Sequence, residues 1–191
     1  MSKGRLEAFS DGVLAIIITI MVLELRTPQG TELAALVPLI PIFLSYALSF
    51  VFIGIYWNNH HHLFQAVQRI DGRVLWANLH LLFWLSLIPF ATAWMGENNF
   101  AAQPVALYGA VLSMAGLAYY LLTRTLLRLH DQDSALVVAL GHDVKGKLSL
   151  VLLVAAIPLA FVSAGLACVL YVLVAVIWFV PDRRIEKALA R

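Results

Sequence analysis

Charge is what this sequence has little of. Asp, Glu, Lys and Arg make up 13% of its 191 residues, against roughly 25% in an ordinary soluble domain. Hydrophobic residues reach 62% and the mean hydropathy is +0.87. Such a chain cannot dress a whole surface for water. The formal net charge is +2, with no clustered Lys/Arg patch, which excludes a nucleic-acid binder. A single cysteine, Cys168, sits in an apolar run. It rules out an intrachain disulfide and reads as packing filler. The first apolar run is interrupted by Glu7 and Asp11 and is followed by no small-residue cleavage site, so it is expected to stay a helix and not act as a cleavable signal peptide. Phosphate loops, nucleophile–base pairs and the His-x3-His or Glu-x-x-His spacings of a metal site are also missing. These gaps argue against an enzyme, a bound cofactor or a metal centre.

What remains is a series of apolar runs between polar breaks. They predict an all-α polytopic membrane protein of one six-helix domain, with spans at approximately 6–25, 33–57, 74–95, 101–122, 148–162 and 166–180. About 20 residues cross a bilayer core of about 30 Å. The last two runs are short by that measure and read either as completed by flanking residues or as a re-entrant hairpin. A short apolar piece, Ala135–Leu140, lies in the polar stretch before them. Pro38, Pro41, Pro89 and Pro158 fall inside spans and can kink them. Gly109, Ser113 and Gly116 form a small-residue stripe on the fourth span, a packing surface. Of thirteen Lys and Arg, only Arg26 falls in a loop on the far side; the other twelve, through Arg183, Arg184, Lys187 and Arg191, share one face. The positive-inside rule makes that face cytoplasmic, with both termini on it and the protein multi-pass in the cell membrane.

The first span is the unusual one, because Arg5, Glu7, Asp11 and Glu24 lie within or beside it. A charge at the centre of a span costs about 2.5–3.5 kcal/mol on insertion scales, and less near the ends. Asp11, about two turns in, needs a partner. The second span ends in His60, His61 and His62, and the third begins with Asn78 and His80, at matching depth. A polar network joining Arg5, Ser10, Asp11, His60, His61, His62 and His80 is therefore expected. On a helical wheel Ile16, Ile20 and Leu23 share an arc of about 60°, Thr19 borders it, and Asp11 points about 140° away. One face of the helix is thus aliphatic and another carries the acid.

The run Arg5-x-x-x-Phe9-Ser10-Asp11, followed by Gly12 to Thr19, resembles the signature of the transmembrane protein 175 family of potassium channels. Trp57-Asn58-Asn59-His60-His61-His62 is similar to the aromatic and histidine segment closing the second helix in that family. The resemblance implies a homotetramer with the first helix lining a central pore. Its permeants would be potassium, with other alkali cations and protons beside it, and its surroundings membrane lipid. It further implies a constriction of aliphatic rings at Ile16, Ile20 and Leu23, with Thr19 linked to selectivity. Arg5, Phe9, Ser10 and Asp11 would hold the helix to its neighbours. No Thr-Val-Gly-Tyr-Gly filter is present, so the expected device is a hydrophobic ring that gates by dewetting. Two other readings stay open on the residues alone: a proton-coupled transporter, and a metal-binding membrane protein or membrane enzyme using the histidines with Asp11.

Overall fold

The computed structural model describes residues 2–130 and 144–179. The stretch Ala135–Leu140, the end of the last span at Val180 and the cations from Arg183 onward lie outside them. The described chain is helical throughout: α1 (Lys3–Leu23), a 3-10 segment (Leu33–Leu39), α2 (Ile40–Gln65), α3 (Gly72–Ser86), α4 (Ile88–Glu97), α5 (Ala102–Leu129), α6 (Val144–Val162) and α7 (Ala164–Phe179). Five spans among the described residues are long and apolar enough to cross a membrane, α3 and α4 counting as one. The sixth, α7, is apolar but only 16 residues long, about 24 Å at 1.5 Å per residue.

Prolines shape two of the spans. Pro38 sits in the 3-10 turn and Pro41 in the first turn of α2, where its missing N–H costs no helical bond. Pro89 stands at the start of α4 and breaks the third span at Leu87, which donates a tight bond to the Trp84 carbonyl, 3.2 Å away. α3 is capped by Asp71, whose carboxylate accepts from the Val74 amide at 2.9 Å. Pro158 leaves α6 unbroken.

Two spans run past their expected ends. α2 continues eight residues beyond Trp57 to Gln65, so the histidines lie on the helix and not after it. α5 continues from Leu122 to Leu129. Hydropathy falls at the first polar residues, but the backbone ladder does not stop there, because Asn, His and Thr cost a helix only a few tenths of a kcal/mol each.

Contacts order the helix ends. Lys3 reaches the Gln65 carbonyl at 3.5 Å, and His130 accepts from the amides of Gln68 and Arg69 at 3.1 and 3.3 Å. At the opposite end Arg26 pairs with Glu97 at 2.6 Å. One end of the bundle therefore holds Lys3, Arg5, Arg69, Arg73, Arg124, Arg128, Lys145 and Lys147, and the other holds Arg26. α5 packs against α3, α4 and α6, with Tyr108, Leu112, Ala115 and Leu122 fully buried. A directed hydrogen-bond chain crosses this core. The Thr92 hydroxyl donates to the Ile88 carbonyl, so it accepts from Ser49, which in turn accepts from Tyr108, over 2.7, 2.6 and 2.9 Å. In lipid, where apolar burial does not drive helices together, such bonds and close packing hold them.

Candidate functional site

α1 docks by one narrow stripe. Leu6, Ser10, Leu14, Ile17 and Met21, spaced three and four apart, are buried against α2, α3 and α4. A neighbouring side is bare: Phe9 is 51% exposed, Ile16 58%, Ile20 42% and Leu23 80%. Thr19 is exposed too, its hydroxyl turned back onto the Ile16 carbonyl at 2.8 Å. On the wheel the aliphatic line centres near Ile16, about 110° round from the centre of the buried stripe, and Thr19 lies opposite that stripe. Arg5 and Phe9 fall on that same line, within about 20° of Ile16. Arg5 is exposed and, among the described residues, makes no ion pair. It therefore stands with the aliphatic face and not beside Asp11.

The expected polar network separates into distinct pieces. Ser10 (0% exposed), Asn78 (2%) and His60 (3%) form one. Ser10 donates to the Leu6 carbonyl and accepts from the Asn78 amide, both at 2.9 Å, while Asn78 Oδ1 faces His60 Nε2 at 2.8 Å. Since a carboxamide oxygen only accepts, His60 Nε2 carries a proton. The His60 ring also stacks on Phe64, 4.5 Å between centroids. This piece ties α1, α2 and α3 together.

Asp11 belongs elsewhere. It is exposed, and its Oδ1 accepts from Trp57 Nε1 at 3.0 Å. Trp57 stacks on His61, whose Nε2 lies 2.9 Å from Gln65 Nε2, and Gln65 Oε1 lies 3.4 Å from His62 Nδ1. His80 accepts from Trp84 one turn along α3, at 2.9 Å. His60, His61 and His62 diverge because they ride on one continuous helix at about 100° per residue. Trp57 holds the place beside Asp11 expected of a histidine, and Asn78 links Ser10 to His60, the one expected histidine that joins the buried chain. Asn78 could have been found by its spacing, since an amide falling in register with Val74, Leu81, Leu82 and Leu85 on a buried stripe must be bonded. Trp57 gives itself away less readily, as one aromatic among many.

A cleft of about 460 Å³ runs beside the bare face, between Ile16, Ile20 and Glu24 of α1 and Ser86, Phe90 and Ala93 across from them. Among the described residues, no group of three His, Cys, Asp or Glu is placed to hold a metal ion.

Comparison with known proteins gives this geometry a context. A potassium channel of Chryseobacterium sp. (strain P1-3) is 54% identical over 189 residues, 99% of this chain and 98% of its own. The family described as endosomal/lysosomal potassium channel TMEM175 matches residues 5–89. The chain belongs to the TMEM175 family. The crystal structure of a lysosomal potassium-selective channel TMEM175 homolog from Chamaesiphon minutus superimposes with a TM-score of 0.81 at 29% identity, over 94% of this chain and 97% of that one. The human endosomal/lysosomal proton channel TMEM175 is 34% identical over 116 residues, 54% of this chain but only 23% of its own length. TMEM175 proteins are ion channels and not enzymes. The stretch matched to the TMEM175 family runs from Arg5 to Pro89. It takes in both faces of α1, Trp57, the histidines and Asn78.

Proposed function

We propose that this protein is a potassium-permeable cation channel of the cell membrane, built as a homotetramer in which α1 of each six-helix subunit faces a shared axis. Ile16, Ile20 and Leu23 form the hydrophobic constriction, and Thr19 borders it. The observation that carries the placement is the bare aliphatic line on α1, on a different side of the helix from a stripe that is fully packed. Asp11 supports assembly: an exposed carboxylate two turns into a span favours a neighbouring protein surface or water over lipid. Relatives named potassium channels support the permeant, and mammalian relatives named proton channels add protons to it. The clustering of cations at one end of the bundle makes that end cytoplasmic.

An aliphatic ring blocks ions by shedding its water when narrow, and passes a partly hydrated cation when wider. Its discrimination among alkali cations rests on dehydration cost. The transporter reading is weaker for a specific reason. The Ser10–Asn78–His60 chain ends on the Leu6 carbonyl, which accepts the Ser10 hydrogen bond and has no proton to pass on. It is a tie and not a relay.

The test is flux in liposomes. Purified protein under opposed potassium and sodium gradients should give a reversal potential set by cations, and Ile16→Asn should raise the conductance several-fold. No cation flux from the unmodified protein would end the channel reading. Flux indifferent to Ile16→Asn would move the constriction elsewhere.

A further inference from the structure

A second cavity stands apart from the bare face of α1. It measures about 190 Å³ and is walled by α2, α5, α6 and α7, with no residue of α1 among its lining. Its interior is formed by Phe52, Leu150, Leu153 and Val174, and its floor at Gly116 is open because no side chain is there. A methyl group added at Gly116 would meet only Leu150 Cδ1 and the Tyr56 hydroxyl, each at 3.7 Å, ordinary contact distance. Apolar cavities of about 150 Å³ stay dry and take up apolar ligands.

The mouth of the cavity is cationic. Lys147 is exposed, lines the opening and makes no ion pair among the described residues. Lys145 sits over the lining ring of Trp178, 5.4 Å from its centroid, and Trp178 Nε1 is held by Ser149 at 2.8 Å. Arg124 donates to the hydroxyl of Tyr120, another lining residue, at 2.8 Å. Among the described residues, no Asp or Glu lines the space. An apolar chamber beneath aromatic residues and three cations, at one depth in the membrane, is the chemistry of an amphiphile with one negative head. Anionic phospholipids are concentrated in the cytoplasmic leaflet, the side to which the same cations assign this end.

We propose that the cavity binds an anionic phospholipid, one acyl chain lying over Gly116 against Leu150 and Leu153, and the phosphate held at Lys147 with Lys145 and Arg124 beside it. With α1 at the axis of an assembly, the cavity opens outward to lipid and the site stays reachable. A lipid there would brace the α6–α7 pair against α2 and α5.

Native mass spectrometry of the full chain, titrated with phosphatidylglycerol or with phosphatidylcholine of the same acyl chains, tests this. Phosphatidylglycerol should bind at least several-fold more tightly. Lys147→Ala, a change at an exposed side chain, should bring the two lipids to near-equal retention. Gly116→Leu, which fills the chamber, should abolish retention of both. A free fatty acid of equal chain length should bind more weakly than phosphatidylglycerol. Equal binding of the two phospholipids by the unmodified protein, binding of neither, stronger binding of the fatty acid, or phosphatidylglycerol retention untouched by Gly116→Leu would each overturn the proposal. Unfolding midpoints close to that of the unmodified protein establish that both variants fold. Ion flux is not the readout, so failure of the channel reading and failure of this one are distinguishable.

Discussion

Ser10 shows how little freedom a buried hydroxyl has. It donates to the Leu6 carbonyl, which leaves only its lone pairs for Asn78, and this fixes which end of the carboxamide faces it. The other end then requires a proton on His60. Replacing Asn78 with Leu keeps the size and removes both bonds, stranding a buried imidazole N–H. The expected loss is about 1–3 kcal/mol, the cost of an unsatisfied buried polar group. His62→Ala, at a half-buried neighbour that faces Gln65 at 3.4 Å and the His61 ring at 5.7 Å, should cost less, within about 0.5 kcal/mol. Unfolding midpoints in one detergent compare them; equal shifts would mean that the buried chain carries no stability. At this scale the sequence is legible in part. That Ser10 and a histidine need partners follows from depth alone, because polar groups in a span must be paired. Which histidine is not legible, since that depends on α2 continuing past Trp57 and turning His60 inward while His61 and His62 turn out. The placement of Asp11 on Trp57 rests on the same rotation.

Between elements, the small residues of α5 are not equivalent, although one spacing rule picks out all of them. At Gly109 an added methyl would run into the Tyr171 hydroxyl and lie 3.0 Å from its Cζ and 3.3 Å from Ile157 Cγ1. That hydroxyl donates to the Val105 carbonyl at 2.9 Å and pins α7 to α5. Gly109→Ala should therefore push Tyr171 away and cost about 1–3 kcal/mol, the usual cost of overpacking. Gly116→Ala meets nothing closer than 3.7 Å and should be neutral, or stabilising by up to about 1 kcal/mol from helix propensity. Thermal unfolding of the two variants side by side decides it, and a loss at Gly116 as large as at Gly109 would sink the distinction. Existence and order of the spans are legible because hydropathy measures transfer into lipid, which every span must satisfy. Their ends are not, because a helix in protein or at the interface tolerates the polar residues that end a hydropathy run. The break at Leu87 was signalled by Pro89 in a way that the unbroken passage of α6 through Pro158 shows to be no rule.

At the scale of the whole molecule, charge and shape point the same way. The described cations other than Arg26 gather where α1 begins, where α2 turns into α3, and where α5 ends and α6 begins. A chain that crossed an odd number of times between any two of these points would scatter them. Arg26 meets Glu97 on the other side, in an exposed pair worth at most about 1 kcal/mol, so it does not set the orientation. The cost of moving Lys and Arg across the bilayer does. Orientation in turn decides which end of the bare line on α1, Arg5 or Leu23, meets the cytoplasm. Impermeant thiol labelling of intact cells tests this directly. Cys168 is half-buried and, as a small apolar residue, should yield to Ala with little loss. In that background Gln29→Cys, in the exposed loop after α1, should react from outside. Arg73→Cys, exposed at the start of α3, should react only after the membrane is opened. The reverse pattern would invert the protein, place the cation-rimmed cavity in the outer leaflet and turn the Arg5 end of α1 outward. Labelling of both positions from outside would deny that α2, the span between them, crosses the membrane.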